Sequence, residues 1–124
     1  MKKKEIEEVI LWIREQIEKM GAKGVVIGNS GGKDSAVVIA LATQALGKEN
    51  VLTVAMPCQS TVEDRNDANL VANAFGVEVL ELNLSIVYEI LEKIIEEQVN
   101  LREEAKVNIK PRLRMTTLYG IAQS

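Results

Sequence analysis

The sequence predicts an α/β protein in which helices flank a parallel, Rossmann-like sheet. Short apolar runs bounded by glycine or proline are typical of buried parallel strands, and stretches with apolar residues at helical spacing separate these runs. The two kinds of element alternate along the chain, as expected of right-handed βαβ crossovers. We therefore expect helices on both faces of the sheet and ligands at the carboxyl ends of its strands.

Each element follows from a local pattern. The predicted helices, each with an apolar face, cover residues 6–20, 36–46, 62–75 and 86–95. The predicted strands cover residues 25–27, 51–55 and 77–82. Glycines follow the first three helices, as is common at helix ends. Pro111 is expected in the first turn of a last helix, where a missing N–H costs nothing.

Composition limits the chemistry. The chain has 124 residues, which predicts one domain over residues 1–124, and its net charge of −3 gives no basic field for nucleic acid. Its apolar runs are too short to span a bilayer, so we expect neither a nucleic-acid nor a membrane partner, and we place the protein in the cytoplasm. The sequence stops at Ser124 inside an apolar helical pattern, so we expect the domain to continue beyond it.

The chain contains no histidine and a single cysteine, Cys58. Histidine-dependent nucleophiles and bases are therefore excluded within it, and we expect no catalytic nucleophile or base. Without a base to activate its thiol, Cys58 is interpreted as a small packing residue.

The most informative stretch runs from the first strand into the second helix. Its residues are Gly28, Asn29, Ser30, Gly31, Gly32, Lys33, Asp34 and Ser35. It is not a Walker A loop, because Asp34 follows Lys33 where Ser or Thr is needed. Two glycines at a helix start let backbone N–H groups approach an anion, and Asp34 beside phosphates makes sense if Mg²⁺ is bound. The alternative is a tight turn in which Asp34 interacts with the helix N-terminus.

This stretch resembles the pyrophosphate loop of the N-type ATP pyrophosphatases, which have the adenine nucleotide alpha hydrolase-like fold. The resemblance implies that residues 28–35 bind the phosphates of ATP, that Asp34 binds Mg²⁺, and that Met56, after the second strand, lies at the adenine. Lys33 occupies a variable position of the motif and is interpreted as an exposed lysine.

A second segment, from Asn108 to Met115, resembles the Asn-x-Lys-x-Arg-x-Arg-Met stretch of NAD synthetases. The resemblance implies that Arg112 binds deamido-NAD and that the protein is an ammonia-dependent enzyme. Such an enzyme makes NAD⁺ from deamido-NAD, ATP and ammonia through an NAD-adenylate, and the full-length protein would be a homodimer. On charge alone, Arg112 and Arg114 could equally belong to a solvated basic surface that pairs with Glu103 and Glu104.

Two alternatives stay open at this point. One is another adenylating pyrophosphatase, such as a tRNA-modifying enzyme, although the chain lacks a Cys-x-x-Cys pair and a basic surface for RNA. The other is a nucleotide-binding fragment without catalysis. We expect the 124-residue chain on its own to bind nucleotide weakly and to show little or no activity.

Overall fold

The structure, a computed structural model, describes residues 2–59 and 62–124, without the side chains of residues 62–65. The helices in this part of the chain are α1 (Lys3–Lys19), α2 (Lys33–Leu46), α3 (Val62–Phe75), α4 (Ser85–Glu96) and α5 (Glu103–Ala122). The strands are β1 (Val25–Gly28), β2 (Val51–Ala55) and β3 (Glu78–Glu81). A 3-10 turn, Lys48–Asn50, leads into β2. The predicted alternation of strands and helices is confirmed.

The three strands form one parallel sheet in the order β1-β2-β3. Backbone hydrogen bonds continue both ladders past the strand ends. The N–H of Asn29 donates to the carbonyl of Val54 over 2.8 Å, and that of Leu82 donates to the carbonyl of Ala55 over 2.9 Å. Because the strands are parallel, their carboxyl ends lie at the same edge of the sheet, where the segments that follow them come together.

Helices cover both faces of the sheet, as predicted. On one face, Ile39 and Ala42 of α2 and Ala72 of α3 are buried against Val51. The other face is covered by α4 and α5. Its buried and partly buried apolar residues are Val26, Val54, Met56, Cys58, Leu84, Tyr88, Ile109, Leu113, Leu118 and Ile121. Helix α1 packs on α2, where the Nε of Arg14 donates to the carbonyl of Ala45 over 3.0 Å.

The covering is incomplete at β3, which pairs only with β2 in the described sheet. Val79 packs against the core formed by α2 and α3. Leu80, in this strand, and Leu82, just after it, are 36% and 38% exposed. Apart from this edge, the predicted arrangement of the sheet is confirmed.

The predicted start of the last helix was wrong. Pro111 lies inside α5, which begins at Glu103 with two glutamates in its first turn, where they suit the positive end of the helix dipole. A proline within a helix leaves the carbonyl four residues earlier, that of Val107, without its helical donor. Val107 is 68% exposed, so water can take the donor's place. Arg112 and Arg114 are therefore mid-helix residues and do not face the dipole of a helix start.

None of the helices in the described residues is both long enough and apolar enough to span a membrane.

Candidate nucleotide-binding site

A cavity of about 520 Å³ opens at the carboxyl ends of β1 and β2 and is closed on one side by α5. This volume lies within the range of small-molecule sites, about 300–1,000 Å³. Its lining residues are Gly28, Asn29, Ser30, Val54, Ala55, Met56, Pro57, Ala68, Pro111, Arg114, Met115 and Leu118. The cavity therefore lies where ligands of open parallel sheets bind.

The first three residues of the glycine-rich loop, Gly28 to Ser30, line this cavity. Gly31 adopts a φ of +79°, a conformation that residues with a side chain rarely take. A Cβ at this position would lie 2.6 Å from the Cβ of Asp67 and 2.9 Å from the N of Ala68. Glycine is therefore required here twice, by the backbone conformation and by the close packing of the loop on α3.

Helix α2 begins at Lys33, earlier than predicted, so Lys33, Asp34 and Ser35 form its first turn. The first helical hydrogen bond runs from the N–H of Ala36 to the carbonyl of Gly32, 3.1 Å. The N–H groups of the first turn consequently have no partner within the helix and point out of its N-terminus. Together with the helix dipole, they give the loop the capacity to bind an anion.

Two hydroxyl groups lie at the same helix start. The Oγ atoms of Ser30 and Ser35 are 3.1 Å apart, and the Ser35 hydroxyl also contacts the carbonyl of Gly32 at 3.2 Å. The N–H of Gly32 donates to the Oγ of Ser30 over 3.2 Å. These bonds are solvent-exposed, so phosphate oxygens can replace them without breaking buried structure.

Asp34 lies at the surface beside these hydroxyls. Its carboxylate supplies the hard oxygen ligand that Mg²⁺ prefers. The described residues hold no group of three or more histidine, cysteine, aspartate or glutamate side chains that could bind a metal ion. One carboxylate fits a Mg²⁺ ion whose other ligands are water and substrate phosphates, which is how this ion is usually bound. Lys33 is exposed, as interpreted from the sequence.

Met56 also lines the cavity, just after β2, and is 8% exposed. Its backbone carbonyl accepts a hydrogen bond from the Nε of Arg114, 3.0 Å away. A Cβ at Gly28 would lie 3.4 Å from both Leu118 Cδ1 and Met56 Cε, so α5 approaches β1 closely here. The sequence did not reveal this role of Arg114, because the contact depends on how α5 crosses the sheet.

Arg112 does not line this cavity. Its side chain is exposed, and its Nη1 donates to the carbonyl of Asn108 in the preceding turn of α5, 2.9 Å away. Among the described residues, neither Arg112 nor Arg114 forms an ion pair with Glu103 or Glu104. Glu103 pairs instead with Lys106, at 3.4 Å between Nζ and Oε1. The interpretation of a basic surface paired with both glutamates is therefore wrong.

Lys110 and Cys58 both lie against Tyr88. The Nζ of Lys110 lies 5.0 Å from the ring centre of Tyr88, within the range of a cation–π contact. Cys58 is 3% exposed and packs with Tyr88 and Leu84. Burial raises the pKa of its thiol, an effect that the charge of Arg114 partly opposes. The interpretation of Cys58 as a packing residue is confirmed.

Taken together, the parallel sheet and its flanking helices define an α/β protein of the adenine nucleotide alpha hydrolase-like class. The sequence model of the NAD synthase family matches residues 5–124 of the chain. The chain therefore belongs to the NAD synthase family, and the resemblance inferred from the two motifs is confirmed. The tRNA-modifying alternative is not favoured by this match.

Comparisons with individual relatives agree with this family assignment. The chain is similar to an NH(3)-dependent NAD(+) synthetase from Finegoldia magna, 42% identical over 118 residues, which covers 95% of this chain and 48% of the relative. A second NH(3)-dependent NAD(+) synthetase, from Carboxydothermus hydrogenoformans, is 41% identical, and the match covers 47% of its length. The chain thus spans about half the length of the curated relatives it matches.

Solved structures show the same relationship. An NH3-dependent NAD synthetase from Campylobacter jejuni, in complex with a nitrate ion, superimposes on this chain with a TM-score of 0.86 at 30% sequence identity. The superposition covers 99% of this chain and 53% of the Campylobacter jejuni chain. A glutamine-dependent NAD+ synthetase from Acinetobacter baumannii, in complex with ADP, superimposes with a TM-score of 0.88 at 26% sequence identity. This superposition covers 95% of this chain and 23% of the Acinetobacter baumannii chain.

Proposed function

We propose that this chain is the ATP-binding part of an ammonia-dependent NAD synthetase, which amidates deamido-NAD to NAD⁺ at the expense of ATP. The observation that carries the proposal is the loop of residues 28–35. It joins a parallel strand, at the cavity lined by Gly28, Asn29 and Ser30, to the start of α2, and it presents two hydroxyls and the free N–H groups of a helix N-terminus. That arrangement suits a polyphosphate.

ATP would lie along the cavity with its phosphates at residues 30–35 and its adenine near Met56. The loop provides the anion-binding groups, whereas Met56, Pro57 and Leu118 contribute apolar surface to the cavity. The relative from Acinetobacter baumannii, which has the same fold, is described in complex with ADP. A relative with this fold thus binds an adenine nucleotide, which supports ATP as the ligand proposed here.

Mg²⁺ would be held by Asp34 together with the phosphates of ATP. When bound, the ion would neutralise phosphate charge as pyrophosphate leaves. The residues of the chain itself would bind and orient the leaving group. Ser30 and Ser35 would donate hydroxyl hydrogen bonds to it, and the first turn of α2 would donate N–H groups.

In the reaction, an oxygen of the nicotinate carboxylate attacks the α-phosphate of ATP, the bond to the β-phosphate breaks, and pyrophosphate departs. Ammonia then attacks the carbonyl carbon of the resulting adenylate and AMP leaves with the electron pair of the C–O bond, which gives NAD⁺ after loss of a proton. Positioning and charge neutralisation suffice for the first step. A chain without histidine can therefore support it.

Arg112 would bind deamido-NAD. This role is supported by the position of the Arg112 guanidinium, which is exposed on α5, the helix that also carries Arg114 at the proposed ATP cavity. A planar guanidinium suits a phosphate or a carboxylate of the dinucleotide.

We also propose a cytoplasmic homodimer for the full-length protein. Exposed apolar side chains on α4, at Ile86, Val87, Ile90 and Ile94, are available for such an interface.

The proposal is tested in the full-length protein by the exchange of labelled pyrophosphate into ATP, measured with Mg²⁺ and deamido-NAD and without ammonia. Exchange that requires deamido-NAD and disappears in Asp34→Ala supports the adenylation step and its substrate. Glu104→Gln, at an exposed acid on α5 away from the loop, is the control and should exchange like the unmodified chain. Mg-ATP binding without exchange at saturating deamido-NAD would overturn the substrate assignment, and a failure to bind Mg-ATP would overturn the site.

A further inference from the structure

We propose that Asn29 is a positioning residue that fixes the phosphate loop to α3 and removes the Gly31 N–H from the set of anion-binding donors. The inference rests on the proposed function, since it assigns roles within the same ATP site. It differs from the direct ATP contact expected from the motif, because the side-chain amide of Asn29 is engaged within the protein at both of its ends.

The geometry around Asn29 is closed. The residue is 3% exposed, and its backbone N–H extends the β1–β2 ladder to the carbonyl of Val54. Its Oδ1 accepts a hydrogen bond from the N–H of Gly31 over 3.0 Å, and its Nδ2 donates to the carbonyl of Ala68 in α3 over 2.8 Å. The orientation of the amide follows from these partners, because rotating it by half a turn would place donor against donor and acceptor against acceptor.

The second observation concerns Gly31. Its backbone is packed so closely on α3 that a Cβ would lie 2.6 Å from the Cβ of Asp67. Asn29 and Gly31 therefore attach the loop to α3 together, one through hydrogen bonds and the other through close packing. A buried amide that lost either bond would carry an unsatisfied polar group, so the pair of bonds favours a single loop conformation.

This attachment divides the donors of the loop into two groups. The N–H of Gly31 is committed to a buried side chain that cannot move away without breaking its own bond to the carbonyl of Ala68. The N–H of Gly32 is bonded to the Oγ of Ser30, an exposed side chain free to rotate. An incoming phosphate would therefore displace Ser30 from Gly32 and use the N–H groups of Lys33 to Ser35, while the Asn29–Gly31 bond persists.

The test is a comparison of Mg-ATP and adenosine affinities by calorimetry. Asn29→Leu keeps the volume but removes both hydrogen bonds that hold the loop, and we therefore expect it to weaken Mg-ATP binding about tenfold. Adenosine, which has no phosphate, should bind within about twofold of the unmodified chain. A merely structural role would weaken both ligands alike.

Asn50→Ala is the matched control. It also removes one hydrogen bond from an asparagine amide to a helix carbonyl, Nδ2 of Asn50 to the carbonyl of Leu46 at 2.8 Å, but far from the loop. Both affinities should stay unchanged in it. Equal Mg-ATP affinity in Asn29→Leu and the unmodified chain, or equal losses for Mg-ATP and adenosine, would overturn the inference.

A second measurement needs no variant. In the unmodified chain, the amide proton of Gly31 should exchange with solvent more slowly than that of Gly32, and Mg-ATP should shift the Gly32 amide resonance more than the Gly31 resonance. The reverse order would overturn the inference even if Asn29→Leu does not fold. Failure of the unmodified chain to bind either ligand would instead refute the proposed function, whereas the Gly31 protection would still report on the hydrogen bond.

Discussion

Arg114 on α5 donates a hydrogen bond from Nε to the backbone carbonyl of Met56, 3.0 Å away and 58 positions earlier in the chain. Met56 directly follows β2, so this bond joins the last helix to the carboxyl end of the central strand. Both residues line the cavity at the carboxyl ends of the strands. The proposed adenine end of the site therefore depends on a contact between two distant parts of the chain.

Arg114→Lys should weaken Mg-ATP binding by about threefold to tenfold. Lysine keeps the positive charge but lacks the planar fork that places Nε at the Met56 carbonyl, and one hydrogen bond is worth about 0.5–1.5 kcal/mol. The affinity is measured by calorimetry. Arg112→Lys is the control, because Arg112 is exposed and bonds within its own helix. Equal losses in the two variants would contradict a specific role for the bond from Arg114 to Met56.

Gly31→Ala should lower the free energy of unfolding by more than about 1 kcal/mol, because alanine at φ +79° is strained and its Cβ would meet Asp67. Urea denaturation measures the change. Gly120→Ala is the matched variant, since a Cβ there meets open space within α5. It should raise the stability by about 0.5–1 kcal/mol. A Gly31→Ala protein as stable as the unmodified chain would contradict the described loop.

Ser35→Ala should weaken Mg-ATP binding but leave adenosine binding unchanged, because its hydroxyl lies with that of Ser30 at the start of α2. A hydrogen bond to a charged group contributes about 1.5–3 kcal/mol, so a loss of tenfold or more in Mg-ATP affinity is expected. Ser124→Ala, which removes an exposed hydroxyl bonded to the carbonyl of Gly120, serves as the control. Unchanged Mg-ATP affinity in Ser35→Ala would place the phosphates elsewhere.

Stability should fall in strongly alkaline solution through Tyr88. Its hydrogen bond to Glu92 and its burial raise the pKa of the phenol to about 12. In the unfolded chain the phenol titrates near a pKa of about 10. The native state therefore keeps this proton longer than the unfolded state, and the free energy of unfolding declines as the pH rises from about 10 to about 12.

The alkaline decline is measured by urea denaturation at a series of pH values. Tyr88→Phe should flatten it, because no proton is then lost at this position. Tyr119→Phe removes an exposed phenol from α5 and should keep the decline, since Tyr88 is intact. An equally steep decline in Tyr88→Phe would assign the effect to other groups.

Much of the fold could be predicted because its signals are local. The short apolar strands, the helices between them and the glycines that follow the helices are each encoded within a few residues. The loop of residues 28–35 was identified in the same way, since its glycines and hydroxyls are contiguous in sequence. The structure brings this loop and Met56 to one cavity, as the parallel topology requires.

The parts that could not be predicted depend on packing between distant elements. Pro111 indicated a helix start, but α5 runs through it because an exposed carbonyl can lose its donor at little cost. The contact of Arg114 with Met56 depends on the path of α5 across the sheet. The role of Asn29 depends on α3 lying beside the loop. No local pattern in the sequence encodes these distances.

The most direct test of the central claim is a titration of the isotope-labelled chain with Mg-ATP, followed through its backbone amide resonances. The account predicts that the largest shifts occur at Gly32 to Ser35, with further shifts at residues 54–57 after the central strand. Shifts confined to the remote segment around residues 99–108, or no shifts in either predicted segment at saturating nucleotide, would contradict it.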